Sequence, residues 1–172
     1  MIRIMSTLTS HCRSAIHLRT AVARDVAAIL ELEIACFSRI EEMFNRRQLR
    51  GLIANPRAIV VVAESKDRVL GWSAGLVHRH RQCYSGRLYA IAVHPAAQGK
   101  RIGQRLIDCI LHSLAMRGAQ RIFLEVRVNN QEAINLYRKF GFTDQGYLAD
   151  YYGQGHHGLR MMRHAANKHT KD

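Results

Sequence analysis

LYAIAVHPAAQGKRIGQRLIDCILHSLAMRGAQRIFLEVRVNNQEAINLYRKFGF, residues 88–142, is the stretch that decides the fold. It opens on an apolar run stopped by Pro95, followed by a glycine-bearing loop, AAQGKRIG. That loop leads into a helix with Leu106, Ile107, Ile110, Leu111 and Leu114 on one face. Gly118 is placed to end the helix. RIFLEVRV (Arg121–Val128) reads as a strand from its β-branched and aromatic content. NNQEAINLYRKF (Asn129–Phe140) reads as a short helix, capped by Asn129 or Asn130 and closed by Gly141.

Working outward, HLRTAV from His17 predicts a short strand. ARDVAAILELEIACF predicts a helix with Val26, Ile29, Leu30 and Ile34 at helical spacing, and Asp25 near its start suits the helix dipole. A second helix is expected over Glu41–Ile53, broken by Asn55-Pro56. AIVVVAE (Ala58–Glu64) and VLGWSAGLVH (Val69–His78) predict a hairpin turning at SKDR, and GRLYAIAVHP (Gly86–Pro95) a third strand. The tail after Phe142 predicts two last strands around a loop rich in Gly, Tyr and His. The order β-α-α-β-β-β-α-β-α-β-β describes one α/β (α+β) domain, not a doubly wound one. Its sheet is expected to be mixed and mostly antiparallel, with about seven strands flanked by about four helices. Residues 17–165 carry it. Residues 1–16, without an acidic residue, read as a disordered extension, and residues 166–172 as a basic tail.

With 172 residues and 48% hydrophobic content, the chain is long and apolar enough to bury one core. It holds no apolar run near the ~20 residues a membrane-spanning helix needs. Cys12, Cys36, Cys83 and Cys109 are widely spread and read as free thiols of a reducing compartment, the cytoplasm. The net charge of +13 favours anionic partners but does not choose among a cofactor, RNA and a generally basic surface. No RNA-binding motif accompanies it. His78, His80, His156, His157 and His164 lack a metal-ligand spacing, so no metal is expected.

Two constellations carry chemistry. Between Ile91 and Leu106, a glycine-containing loop enters a helix N-terminus, where unpaired N–H groups and the helix dipole favour an anion. Lys100, Arg101 and Arg105 add positive charge. The spacing is neither a phosphate-binding GxxxxGK[ST] loop nor a GxGxxG fingerprint. In the second constellation, Glu125 interrupts an apolar strand, where a carboxylate either faces water, paired with Arg127, or has a task. Tyr137 follows on the next helix, where a core or rim position is the ordinary role of such a residue.

Taken together, IAVHP, Q-x-x-x-x-G, LEVR-x-x-N and A-I-x-L-Y-x-x-x-G-F resemble the GNAT superfamily of acetyltransferases. Within it they resemble the bacterial ribosomal-protein alanine N-acetyltransferases of the RimI type. The resemblance implies acetyl-CoA as the acetyl donor. Ile91, Ala92 and Val93 would then offer backbone groups to its acetyl and pantetheine part, and Asn130 would contact the pantetheine arm. Gln98, Gly99, Lys100, Arg101, Ile102, Gly103 and Gln104 would cradle the pyrophosphate. Glu125 matches the general base and Tyr137 the general acid, while Tyr151 and Tyr152 match a tyrosine pair at the acceptor peptide.

One position departs from the pattern: Arg101 stands where the family loop carries glycine. Either the loop shifts, or Arg101 keeps ordinary dihedrals and offers its guanidinium to phosphate. The implied reaction is direct acetyl transfer to an amine, with the N-terminal α-amine of a protein, such as a ribosomal protein, as acceptor. A small-molecule amine or a lysine side chain is the alternative, and a non-catalytic acyl-CoA-binding or ribosome-docking module is the reading from another class. An α-amine of pKa ~8 costs about 1.4 kcal/mol to deprotonate at pH 7, and a lysine about 4.6. The early helices (Glu31–Ile53) and the Tyr147–Gly158 loop are expected to line the acceptor pocket, and the acidic residues Glu31, Glu33, Glu41 and Glu42 either face it or form an ordinary solvated helix face.

Overall fold

The computed structural model describes residues 15–38 and 43–165. The expected extension (apart from Ala15 and Ile16) and the tail beyond Ala165 lie outside the described residues, as do Glu41 and Glu42. The strands are β1 (His17–Thr20), β2 (Ala58–Ser65), β3 (Arg68–Arg79), β4 (Tyr84–Val93), β5 (Ala119–Arg127), β6 (Thr143–Leu148) and β7 (Gly158–His164). The helices are α1 (Val26–Cys36), α2 (Arg46–Ala54), α3 (Ile102–Met116) and α4 (Gln131–Lys139). They build one seven-stranded sheet in the order β1-β2-β3-β4-β5-β7-β6. Every neighbouring pair is antiparallel except β4 and β5.

Strand alternation divides the apolar residues between two cores. Ile59, Val61, Val77, Leu88, Ile122 and Leu124 pack with the apolar stripe of α3 and with Ile134 and Tyr137 of α4. Val60, Val62, Trp72 and Ala74 pack on the other face with Val26, Ile29 and Leu32 of α1 and Leu49 and Leu52 of α2. Helix α3 lies close to the sheet over glycines. A Cβ at Gly75 would come within 2.8 Å of Ile110 Cγ2, and one at Gly86 within 3.0 Å of Leu114 Cδ1.

Two local expectations, in α1 and at the start of α2, are corrected, and the hairpin turn falls at SKDR as expected. In α1 the buried positions are Val26, Ile29, Leu32 and Glu33, while Ile34 is 69% exposed. Glu33 therefore belongs to the interior and not to a solvated face. Helix α2 begins at Arg46, because Asn45 caps it. The Asn45 side chain accepts from Gln48 N at 2.9 Å, and Gln48 Oε1 accepts from Asn45 N at 2.8 Å, a reciprocal cap that fixes the start. The hairpin between β2 and β3 turns on two residues, Lys66 (φ 50°) and Asp67 (φ 60°), both left-handed. That is a type I′ geometry made without the usual Asn-Gly.

Candidate active site

The site lies where β4 and β5 part. Their parallel register runs from Tyr84↔Ala119 to Arg87↔Phe123 and ends there. A β-bulge lies just past the last pair. Ala74 pairs with Ala90 and Gly75 with Leu88, so Tyr89 is the extra residue in β4. A bulge bends and twists its strand, and here it steers β4 away from β5. Ser73 Oγ donates to Ala90 O at 2.8 Å beside it.

The gap opens into a cavity of about 500 Å³. From the sheet it is lined by Tyr89, Ala90 and Ile91 of β4 and by Leu124, Glu125, Val126 and Arg127 of β5. Glu33, Phe37 and Phe44 close it on the α1 side. Asn130, Ala133 and Tyr137 contribute from the start and body of α4, and Tyr151 and Tyr152 from the β6–β7 loop. Glu125 and Tyr137, separated by a strand end, a cap and two helical turns, therefore face one space. Asn130 is the cap: its side chain accepts from Ala133 N at 3.1 Å.

The Glu125 side chain is 6% exposed and is held by two guanidinium groups. Arg87 Nε donates to its Oε2 at 2.7 Å, and Arg160 Nε donates to Oε1 at 3.1 Å. Arg87 Nη2 also donates to the Tyr151 hydroxyl at 2.7 Å, which ties the β6–β7 loop to the carboxylate. The guanidinium of Arg127 lies over the Tyr152 ring, 4.8 Å from its centroid. Burial pushes the Tyr137 phenol up to about 12. Burial likewise raises the Tyr152 phenol, with Tyr151 and Glu125 adding to the effect.

Sequence reasoning expected the early helices to line the acceptor pocket, but it did not single out the residues of the α1 wall that do so. Glu33, 2% exposed, accepts from Trp72 Nε1 at 2.9 Å and from Phe44 N at 3.1 Å. Burial raises its carboxyl above the usual range. Phe44 stands edge-on to Trp72 (5.3 Å) and to Tyr89 (5.7 Å). The missed signals were polar residues in apolar elements: Glu33 in α1 and Arg87 in β4.

A groove of about 480 Å³ runs between the start of α3 and α4. Val93, Gln98, Gly99, Arg101, Ile102, Gly103 and Gln104 line one side, and Glu132, Asn135, Leu136 and Lys139 the other. Of the residues expected at the loop, Lys100 lines neither space, and the Ala92 side chain is buried in the core on the α1 face. Arg101 is the N-cap of α3, at φ 59° and ψ 18°. Of the two alternatives for Arg101, ordinary dihedrals are overturned: it takes the left-handed conformation, which glycine adopts without strain and which costs another residue about 1 kcal/mol.

The Acetyltransferase (GNAT) family model matches residues 26–142. The chain belongs to the GNAT acetyltransferase family. Among relatives of this GNAT chain, the mycothiol acetyltransferase of Nocardia farcinica is 40% identical over 88 residues, covering 49% of this chain and 29% of that one. The [ribosomal protein bS18]-alanine N-acetyltransferase of Salmonella typhimurium is 36% identical over 77 residues, covering 44% and 52%. The matches thus span about a third to a half of these relatives' lengths. The structure of yncA from Salmonella typhimurium, solved with its cofactor acetyl-CoA, shares the GNAT fold with a TM-score of 0.73 at 20% identity, over 91% of this chain and 97% of that one. Among the described residues, no helix is long and apolar enough to cross a membrane.

Proposed function

We propose that this protein is an acetyl-CoA-dependent N-acetyltransferase that passes acetyl directly to the α-amine of a protein or peptide N-terminus, such as that of a ribosomal protein in the cytoplasm. The observation that carries it is the parting of β4 and β5, which gathers Glu125 and Tyr137 on one cavity beside an anion-accepting groove.

The groove's donors fit the diphosphate of the cofactor. The first N–H groups of α3 have no partner within the helix, and Arg101 and Lys139 add positive charge against one acid, Glu132. The unpaired edge of β4 around Ile91 offers backbone groups to an amide-bearing arm, and Asn130 stands at the opposite rim. Acetyl-CoA supplies an acetyl group activated as a thioester. Glu125, fixed by Arg87 and Arg160, takes the proton that the attacking amine gives up, directly or through a water. An N–H near Ala92–Val93 meets the developing oxyanion. Tyr137, kept neutral by burial, gives its proton to the departing thiolate. Tyr151 and Tyr152 line the cavity on its acceptor side. No cysteine takes part.

An α-amine acceptor is supported by the bS18-alanine relative and by the lower cost of deprotonating it. The mycothiol relative supports a small-molecule amine on the same scaffold. The deciding assay is free-thiol release from acetyl-CoA with peptides bearing free or blocked N-termini, alongside polyamines. Turnover that requires a free α-amine upholds the proposal. Turnover with polyamines alone overturns the acceptor class, and tight acetyl-CoA binding without turnover on any acceptor overturns the enzyme reading.

A further inference from the structure

The strand ends opposite the cavity form a basic pole that the proposed reaction does not use. Residues 54–58, 77–86, 115–123 and 162–165 meet there. Arg57 O accepts from Val77 N at 2.9 Å, Arg79 pairs with Tyr84, Tyr84 with Ala119, and Arg121 with His164. These segments hold six arginines and three histidines, and no Asp or Glu. Crossing from β2 to β7 takes four strand steps, about 19 Å at ~4.8 Å each.

The arginines differ in use. Arg117 is structural, donating to Pro56 O at 2.9 Å and Ala58 O at 3.1 Å, and Arg163 donates to Phe140 O. Arg57, Arg79 and Arg81 are exposed, and among the described residues their side chains have no hydrogen bond or ion pair. Arg79 shares its strand face with Val77, which packs under α3, and Tyr84 shares that face at 40% exposure. Met116, at the end of α3, is 53% exposed. Arginine is the cation suited to phosphate, which its planar fork grips at two points, and an exposed tyrosine ring is a surface on which a base stacks.

We infer that this pole is a binding surface for single-stranded nucleic acid, separate from the acetyl-transfer cleft. It grips the phosphates of a short strand through Arg57, Arg79 and Arg81 and stacks a base on Tyr84. The inference goes beyond the proposed enzyme activity and does not depend on it.

The test is fluorescence anisotropy of the full chain with a labelled oligouridine of about 12 nucleotides, titrated at several salt concentrations. Contact with about four phosphates gives a slope of log K against log salt near −3. The triple variant Arg57→Gln/Arg79→Gln/Arg81→Gln is expected to weaken binding at least tenfold, flatten the slope by about 2, and leave acetyl-CoA binding unchanged. Tyr84→Ala is expected to weaken binding with the slope unchanged. Undiminished binding by the triple variant overturns the assignment. So does competition by acetyl-CoA, which would place the strand on the α3 loop. Binding to phosphatidylserine vesicles with none to the oligonucleotide overturns it in favour of a membrane surface.

Discussion

Two residues, Glu125 and Tyr137, carry the sharpest expectations. Glu125→Gln and Tyr137→Phe are each expected to lower turnover by about 10²-fold or more while leaving acetyl-CoA binding nearly intact, as isothermal titration alongside the thiol assay would show. Tyr137 also has a signature in stability. Its folded pKa, about 12, lies above the unfolded value near 10. The folded state therefore keeps a proton that the unfolded state loses between those values. The resulting stability is complete below pH 10 and declines as pH rises through the window, by about 1.4 kcal/mol per unit. Urea unfolding at both ends of the window should show Tyr137→Phe losing less stability than the parent; equal losses would mean the phenol is not desolvated. Across the cavity, Glu33 holds Phe44 and Trp72 in place. Glu33→Gln is expected to raise the acceptor KM several-fold with the acetyl-CoA KM unchanged.

At the scale of elements, the sequence made the periodic parts legible. The apolar stripe of α3 and the β-branched runs of β2 and β5 appear where their spacing places them. The misreadings have physical causes. Apolar spacing alone turned Ile34 inward, whereas Glu33 occupies that face because Trp72 and Phe44, distant in sequence, satisfy its oxygens. The bulge at Tyr89 has no local signal, because it exists only in register with β3. Of the candidate site, Glu125, Tyr137 and the α3 loop were readable from short motifs. The partners Arg87 and Arg160 were not, since they reach Glu125 from neighbouring strands. The Lys66–Asp67 turn yields a prediction of its own. Lys66→Asn/Asp67→Gly supplies residues at ease with positive φ and should stabilise the fold by about 1 kcal/mol. For a chain of this size, thermal unfolding would register that as a rise of about 2–4 °C.

Taken whole, the molecule separates its uses by pole: a cleft where β4 and β5 part, and an arginine-rich end where the same strands are still paired. The paired end is short. Four residues of β4, Tyr84–Arg87, hold the two halves of the sheet together by strand pairing, and from Leu88 onward β4 has no partner on that side among the described residues. The sheet is thus an unfinished seam, and under the proposed function an amide-bearing arm laid along it would act as the missing strand. Occupancy and folding are then one equilibrium. A donor at a hundred times its Kd adds about 2.7 kcal/mol to unfolding, and the amides of Ile91 and Val93, which alternate with those bonded to β3, should pass from rapid to slow hydrogen exchange as it binds. A chain kept from its thioester supply would be easier to unzip along this line and more exposed to proteolysis, so the cell's acyl-donor pool would set how long the enzyme lasts as well as how fast it works.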